Sequence, residues 1–226
     1  MRIDDCNWMD VENYLKKDDR LMLILGACEQ HGYLSLMTDT RVPVALADAA
    51  SQRSGVLVAP PLNFGVSPYF LAYPGTISLR SSTYLEVVSD VIRSVYGVGF
   101  RRLVILNGHG GNSMIRGRLV ELANELPGLK TQWHSWWMEP NVTAAAAKHG
   151  LKSYHAAWLE AFRFTRVTEL PQGEKKPVVD NGLSGAEATR KAIGDGVYGG
   201  PYQVDDDIMD EMFEIMVDDI VKLLEF

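Results

Sequence analysis

Blocks of apolar residues alternate with polar blocks along the chain, and their spacing predicts helices and strands in turn. Residues 9–17 have the spacing of a short amphipathic helix, for which Asp10 is the expected N-cap. The run LMLIL at 21–25 is short and continuously apolar, and Gly26 follows it, which predicts a buried strand. Residues 40–55, TRVPVALADAASQRSG, predict a helix that ends at a glycine.

The same pattern continues through the middle of the chain. Residues 56–65, VLVAPPLNFG, predict a second strand closed by prolines and a glycine. Residues 83–99 carry apolar side chains at helical spacing, with Thr83 as the expected N-cap and Glu86 completing a capping box. Residues 205–225 are again amphipathic at helical spacing, which predicts a helix.

The remaining segments complete the alternation. RRLVILNGHGGN at 101–112 predicts a strand and a tight glycine turn, followed by a helix over 113–125 and a further strand over 129–137. Residues 166–204 are rich in Gly, Pro and charge, which predicts long loops around one helix, GAEATRKAIGDG. Alternating strands and helices favour an α/β fold with a mainly parallel sheet and helices on both faces. We expect one domain over residues 1–226.

The composition of the chain limits the classes of partner and the cellular setting that we expect. The net charge is −7, and the chain has no basic stripe to follow phosphates, which argues against nucleic acid. Two cysteines do not make a disulfide framework, so we expect a reduced, cytoplasmic setting. We also expect no membrane association, because no apolar run approaches the roughly 20 residues of a membrane helix.

Chemically active side chains cluster where predicted strands end. Glu29, His31 and Asp39 follow the first strand, and each would suffer desolvation there without a partner or a cation. Carboxylate and imidazole are ligands for Zn²⁺ or Mn²⁺, although Glu29 and His31 alone would equally suit a hydrogen-bonded loop. Ligands in such sheets bind outside the carboxyl ends of the strands.

Two further segments belong with this cluster. His109 lies between glycines that allow a tight turn and a close approach of the backbone. A phosphate-binding turn is the alternative, but the segment fits neither common phosphate motif and an imidazole occupies its centre. In HAAWLE, His155 and Glu160 could share a site if His155 lies in a loop and Glu160 in the helix after it.

The order of EQHG, LMTD, YPGTISL, ILNGHGGN and HAAWLE resembles the creatininase (creatinine amidohydrolase) family over most of the chain. The resemblance implies a three-layer α/β fold, hydrolysis of C–N bonds in amides and cyclic amides, and a homo-oligomer, often a hexamer. It also implies two divalent metal ions, zinc or manganese. On the matching positions, the metal ligands are Glu29, His31, Asp39 and His109, with Asp39 as the bridge.

The chain departs from the family pattern at three places. The family turn carries a glutamate ligand where this sequence has Gly111, so we expect Glu160 to complete the second metal site. Trp158 replaces the first glutamate of the family's HAGExET segment. The segment between His31 and Asp39 is one residue shorter than usual and lacks a second histidine. These changes border the pocket and make creatinine itself an unsafe choice of substrate.

The expected reaction is hydrolysis by a water molecule whose pKa the metal ions lower, with Glu160 and His155 as catalytic residues. His155 matches a family histidine that could pass a proton to the leaving nitrogen, and a core or capping role is the alternative. The expected substrate-binding residues are Tyr33, Gly110, Gly111, Trp136 and Trp137, although ordinary aromatic packing would equally explain the two tryptophans.

Three functions fit these observations. The first is a metal-dependent amidohydrolase acting on a small cyclic amide, formamide or lactam. The second is a different hydrolytic or ring-opening reaction on the same metals, with a sugar-derived ketone, a lactone or a peptide as substrate. The third is a binding or assembly protein that has lost catalysis. The sequence argues against the third because it keeps all four motif ligands.

Overall fold

A computed structural model describes residues 1–178 and 185–226. Its central sheet has the strand order β2-β1-β3-β4, and every pairing within it is parallel. The four strands are β1 (Arg20–Leu25), β2 (Leu57–Val58), β3 (Arg102–Asn107) and β4 (Lys130–Ser135). The predicted α/β fold with a mainly parallel sheet is therefore confirmed.

Helices connect and cover these strands. In the described ranges they are α1 (Trp8–Leu15), α2 (Thr38–Ser54), α3 (Ser81–Val98), α4 (Ile115–Glu125), α5 (Pro140–Lys148), α6 (Ala186–Ile193) and α7 (Asp206–Leu223). A separate antiparallel pair joins β5 (Glu174–Lys175) to β6 (Gly200–Pro201).

The sheet separates two apolar layers, and β1 contributes to both. Met22 and Ile24 lie on the side that contains residues of α2, α5 and α7, whereas Leu21, Leu23 and Leu25 lie on the side of α3 and α4. Side chains alternate between the two faces of a strand, so a continuously apolar strand is what a sheet covered on both faces requires. Each buried leucine stabilises the fold by about 1.5–3 kcal/mol relative to an exposed one.

Several element ends differ from the predicted ones. Asn7, not Asp10, caps α1, because its side chain accepts hydrogen bonds from two backbone N–H groups while Asp10 completes the capping box. The predicted cap Thr83 lies inside α3, which begins at Ser81 without a side-chain cap. In the segment predicted as the second strand, only Leu57–Val58 forms the ladder, since the prolines after it cannot donate.

Short 3-10 helices flank β4 and α4 in the later segments. A 3-10 helix, Gly110–Met114, precedes α4, and a second one, Trp136–Met138, follows β4 where strand had been expected. The helix α5 was not predicted at all. The predicted helix GAEATRKAIGDG corresponds to α6, while part of the loop region before it, residues 179–184, lies outside the described residues.

None of the helices within the described ranges combines the length and the apolar character that crossing a bilayer requires. The single domain over residues 1–226 stays a prediction.

Candidate metal centre

The carboxyl ends of β1 and β3 lie side by side, because Leu25 is paired with Asn107. The chain leaving β1 carries Glu29 and His31, and the chain leaving β3 carries His109. Parallel neighbours end at the same edge of a sheet, so side chains separated by about 80 residues meet there.

The first cluster joins His109 to two carboxylates. His109 Nδ1 lies 3.3 Å from Glu29 Oε1 and 3.0 Å from Asp39 Oδ2. Asp39 is the second residue of α2, where the helix dipole stabilises a negative charge. One oxygen or nitrogen from each residue lies within 4.8 Å of the others, as ligands of one ion must.

The second cluster uses the other oxygen of Asp39. His31 Nε2 lies 3.0 Å from Asp39 Oδ1 and 3.6 Å from Glu160 Oε2. Glu160 belongs to a short 3-10 helix, Trp158–Glu160, and its carboxylate accepts a hydrogen bond from the N–H of Ala156. The condition for a shared site was His155 in a loop and Glu160 in the helix after it, and the structure has this arrangement. Asp39 thus belongs to both clusters, and each cluster has three residues.

Backbone carbonyls orient both imidazoles. His109 Nε2 lies 2.8 Å from the carbonyl oxygen of Val66, and His31 Nδ1 lies 3.3 Å from that of Glu29. A carbonyl only accepts, so these ring nitrogens carry the hydrogens. The opposite nitrogen of each ring therefore turns a lone pair toward the carboxylates, which is how metal-binding histidines are commonly arranged.

Three buried atoms of the cluster have no hydrogen-bond partner within the described part of the chain: Glu29 Oε2, His31 Nε2 and Asp39 Oδ2. Glu29 and His31 are each 1% exposed, so water from outside does not reach them freely. Leaving such atoms unpaired costs several kcal/mol between them. Divalent cations would satisfy all three, and the donor set of carboxylates and imidazoles suits zinc or manganese.

The electrostatics of the cluster indicate the same need for positive charge. Burial lowers the pKa of His31, but Asp39 and Glu160 outweigh it and raise that pKa to about 10. Burial also opposes protonation of His109, yet Glu29 and Asp39 raise its pKa well above the ordinary value. Burial alone would raise the pKa of Asp39, but the two histidines lower it. Protons occupy this cluster when no metal does, so metal binding would release them.

Glu160 and His155 differ from the other members. Burial, followed by the nearby Asp39, raises the pKa of Glu160 to about 7 even though His31 opposes the shift. Burial, together with the nearby His31, lowers the pKa of His155 to about 3. His155 Nε2 lies 3.0 Å from Gln30 Nε2, and its ring stacks on Phe70 at 4.8 Å.

Glycines make the close approach of the two strand exits possible. A Cβ on Gly108 would lie 1.8 Å from the carbonyl oxygen of Asp39, and one on Gly111 would lie 2.0 Å from that of Val66. No side chain fits at either position without movement of the backbone. The turn therefore has no room for a glutamate at Gly111, whereas Glu160 lies beside His31 in the second cluster.

The structure separates the predicted substrate-binding residues into two groups. Gly110 and Gly111 are exposed beside His109, and Tyr33 follows His31 and packs edge-on against Tyr202. These three residues are therefore close to the ligands His31 and His109 in the sequence.

Trp136 and Trp137 do not join them. Trp136 is 1% exposed and packs against Phe162 in the core, which fits the packing interpretation of this residue. Trp137 lines a cavity of about 550 Å³ together with Val142, Leu151 and Leu159, and none of the clustered ligands lines that cavity.

Sequence reasoning missed three contributors around the cluster: Gln30, the carbonyl of Val66, and Asn112. Asn112 is fully buried; its amide donates to the carbonyls of Leu25 and Gly26 and accepts from the N–H of Val66. It therefore ties the exit of β1 to the segment that orients His109. Its place at the end of NGHGGN was the available signal, whereas nothing in the sequence marks a backbone carbonyl.

The parallel sheet, whose strand ends bring together imidazoles and a shared carboxylate, places the chain among α/β proteins with a candidate metal centre. The family model for creatininase, creatinine amidohydrolase, matches residues 4–224. The chain belongs to the creatininase family.

Relatives with assigned activities differ in what they act on. A creatinine amidohydrolase of Pseudomonas putida is 35% identical over 128 residues, covering 54% of this chain and 49% of that protein. A 3-dehydro-scyllo-inosose hydrolase of Thermotoga maritima is 29% identical over 107 residues, 46% of this chain and 34% of that protein. A mycofactocin precursor peptide peptidase of Mycobacterium ulcerans is 35% identical over 116 residues, 46% of each chain. The chain thus spans half or less of the length of the relatives it matches.

Solved structures agree over nearly the whole chain. A crystal structure of creatinine amidohydrolase has a TM-score of 0.86 at 24% identity, covering 99% of this chain and 96% of that one. A putative creatinine amidohydrolase from Bacteroides fragilis has a TM-score of 0.76 at 26% identity, covering 100% and 95%. Other creatininase structures include a Zn-Zn form and a Mn form. At 24% identity these structures establish the fold, and the predicted creatininase-like fold is confirmed.

Proposed function

We propose that the protein is a metal-dependent hydrolase that cleaves a C–N bond in a small amide, cyclic amide or formamide. Two divalent cations, zinc or manganese, would be held by five side chains. Glu29 and His109 would bind one ion, His31 and Glu160 would bind the other, and Asp39 would bridge them.

The arrangement around Asp39 carries this proposal. Its two carboxylate oxygens point to two different imidazoles, each at 3.0 Å, and each imidazole has a further carboxylate beside it. A hydrogen-bonded loop would pair each buried acceptor with a donor, whereas here carboxylate oxygens face the lone pairs of imidazole nitrogens. A third group, Glu29, His31 and His155, also satisfies the spacing of a cation site. We assign His155 elsewhere because its Nε2 is engaged by Gln30.

When bound, the metal ions would lower the pKa of a water molecule and stabilise negative charge on the carbonyl oxygen of the substrate. The chain's own residues would perform the remaining tasks. Phe70 covers one face of His155, and His31 lies against the ring at a centroid distance of 4.5 Å, so the imidazole has a defined position beside the ligands. His155, which is neutral near pH 7, would donate a hydrogen bond toward the substrate, and the proton that the leaving nitrogen needs would come from the attacking water molecule.

The pocket around the cluster supports a substrate other than creatinine. The turn has Gly111 where the family pattern has a glutamate, and Trp158 is fully buried where the pattern has another. Relatives of this chain are named for creatinine, for 3-dehydro-scyllo-inosose and for a mycofactocin precursor peptide. A cyclic ketone or a peptide bond is therefore the second candidate substrate class for the same centre.

A measurement of metal content together with a substrate panel tests the proposal. Protein purified without chelator and then exposed to Zn²⁺ or Mn²⁺ should retain two equivalents of metal by mass spectrometry. The panel should include creatinine, hydantoins, lactams, formamides, a cyclic ketone and short peptides. His109→Ala should lose hydrolysis of whichever compound is cleaved. Retention of less than one equivalent, or normal turnover by His109→Ala, would refute the proposal.

The proposal extends to self-association, with a hexamer as the expected assembly. Exposed apolar side chains concentrate in the segment after β2, at Phe64, Leu71 and Ile77, and such exposure is typical of protein interfaces. Light scattering on the purified protein would give the mass of the assembly, and a monomer at micromolar concentration would refute this part.

A further inference from the structure

Gln30 lies between two of the clustered ligands in the chain, and it is only 4% exposed. Three contacts hold its amide group. Gln30 Oε1 accepts from the N–H of Gly32 at 3.1 Å, and Gln30 Nε2 donates to the carbonyl of Gly196 at 3.1 Å. The same nitrogen lies 3.0 Å from His155 Nε2.

The two backbone partners determine which end of the amide faces His155. The N–H of Gly32 can only donate and the carbonyl of Gly196 can only accept. If the amide were turned over, its oxygen would face the Gly196 carbonyl and its NH₂ group would face the Gly32 N–H. Both contacts would then be repulsive, so the NH₂ group of Gln30 is the end that meets the imidazole.

An NH₂ group has hydrogens and no lone pair to offer, so the ring nitrogen that it faces must accept. His155 Nε2 is therefore the unprotonated nitrogen, and the ring hydrogen of neutral His155 lies on Nδ1. The ring cannot tilt freely to escape this contact, because Phe70 stacks on it with an angle of 11° between the planes.

The backbone around the amide is also restricted. Gly32 and Gly196 have φ values of 55° and 93°, a region that favours glycine. A Cβ on Gly196 would lie 1.8 Å from Gln30 Oε1. A Cβ on Gly32 would instead lie 2.6 Å from Val197 Cγ2. A larger residue at Gly196 would therefore displace the amide of Gln30, and one at Gly32 would displace Val197 or the backbone that donates to the amide.

We propose that Gln30 is a positioning residue that holds His155 in the tautomer with its hydrogen on Nδ1. Nδ1 is then the ring atom that carries the hydrogen which His155 can donate in a hydrogen bond, and the use of that hydrogen toward a substrate rests on the proposed function. The tautomer itself does not depend on that function.

Solid-state ¹⁵N NMR of protein labelled at histidine tests this proposal, because protonated and unprotonated ring nitrogens resonate in separate ranges and the method tolerates large assemblies. The chain has five histidines, and His155 can be assigned from the signals lost in His155→Asn. In the zinc-loaded wild type, His155 Nδ1 should resonate as protonated and Nε2 as unprotonated. A protonated Nε2 in the wild type would overturn the proposal, whatever the variants show.

Two substitutions test the role of Gln30 itself. Gln30→Glu replaces the NH₂ group by an acceptor, so His155 Nε2 should move into the protonated range. Gln30→Met removes the donor without adding an acceptor, and both tautomers should then contribute to the spectrum. If either variant keeps the single Nδ1–H tautomer, another group sets it and the proposal fails.

Gln203→Glu is the matched control, because Gln203 is half-buried and its amide likewise contacts backbone carbonyls, those of Leu170 and Pro171. It should leave the spectrum of His155 unchanged. Metal content distinguishes the failure of the two proposals. If the wild-type protein does not bind metal, the proposed function is refuted. If it binds two metal ions but His155 Nε2 is protonated, only the role of Gln30 is refuted.

Discussion

His31 Nε2 and Asp39 Oδ1 lie 3.0 Å apart, and both atoms are acceptors in the tautomer that the Glu29 carbonyl favours. Two acceptors at that distance repel unless a proton or a cation lies between them. In this chain the repulsion is buried, so solvent does not relieve it. The contact therefore indicates that this edge of the sheet is built for positive charge.

The shared position of Asp39 predicts that the two metal sites can be emptied separately. Glu160→Gln should remove one of two metal equivalents, because Glu160 belongs only to the cluster with His31. His109→Ala should remove the other, and Asp39→Ala should remove both. Mass spectrometry of the metal content after dialysis measures each loss.

The control for this series is Glu169→Gln, which makes the same change at an exposed glutamate farther along the chain. It should retain both equivalents. Retention of both by Glu160→Gln would show that Glu160 does not replace the missing turn carboxylate.

The two adjacent glycines of the NGHGGN turn should differ in how strongly they respond to the same substitution. A Cβ on Gly111 would lie 2.0 Å from the Val66 carbonyl oxygen and 2.6 Å from His109 Nε2, whereas one on Gly110 would meet no atom within 4 Å. Gly111→Ala should therefore displace the carbonyl that orients His109. We expect it to lower the free energy of unfolding by about 1–3 kcal/mol and to weaken metal binding.

Gly110→Ala serves as the control and should change the free energy of unfolding by less than about 0.5 kcal/mol. Urea unfolding and metal titration measure both effects. Equal behaviour of the two variants would contradict the role given to the Val66 carbonyl.

Much of the fold could be predicted because the signal lies in local periodicity. The strand at 21–25 and the helix ending at Gly55 were predicted nearly to the residue, since continuous burial and a glycine in the left-handed conformation leave marks in the sequence. The helix α5 was missed because PNVTAAAAK has little apolar contrast between its faces, and its burial comes from contact with α7. Asn7 was overlooked as a cap because Asp10 also suits that position.

The site could be predicted in part for a related reason. His31 and His109 could be identified as candidate ligands because each follows the end of a predicted strand. The sequence offered Glu160 as a possible partner of His155, but its role as a metal ligand came only from the family resemblance, because its approach to His31 depends on the path of the chain after α5. Trp136 was a candidate pocket wall because aromatic residues suit both pockets and cores, and only the packing distinguishes the two.

Trp136 predicts a difference between two substitutions. It is 1% exposed, and its indole N–H has no partner among the described residues. Trp136→Ala should lower the free energy of unfolding by about 3–5 kcal/mol because it leaves a cavity. Trp136→Phe should lower the free energy of unfolding much less. The smaller ring leaves only a small cavity, and the substitution also removes a buried N–H that has no partner.

Both Trp136 variants should keep two equivalents of metal. Chemical unfolding gives the stability, and mass spectrometry gives the metal content. If Trp136→Phe weakened substrate binding while leaving stability unchanged, the interpretation as a core residue would be wrong.

His134 predicts a loss of stability in mild acid that is separate from the metal centre. It is 3% exposed at the end of β4, and burial lowers its pKa to about 4, with Asp219 only partly opposing the shift. In the unfolded chain a histidine has a pKa near 6.5. Above that pH both states are neutral and the fold keeps its full stability. As the pH falls from 6.5 toward 4, the unfolded state binds the proton first, so the fold loses roughly 3 kcal/mol.

The measurement is the free energy of urea unfolding at about pH 7.5 and about pH 5, compared between the wild type and His134→Gln. Glu139, which lies 3.3 Å from His134 Nδ1, works in the opposite direction, because burial and Asp219 raise the pKa of its carboxyl. Taking the difference between two proteins that share Glu139 isolates His134. His134→Gln should lose less stability on acidification than the wild type. His149→Gln, at a histidine paired with Glu211 on the surface, should lose as much as the wild type. If His134→Gln lost as much as His149→Gln, burial of neutral His134 would not be the cause.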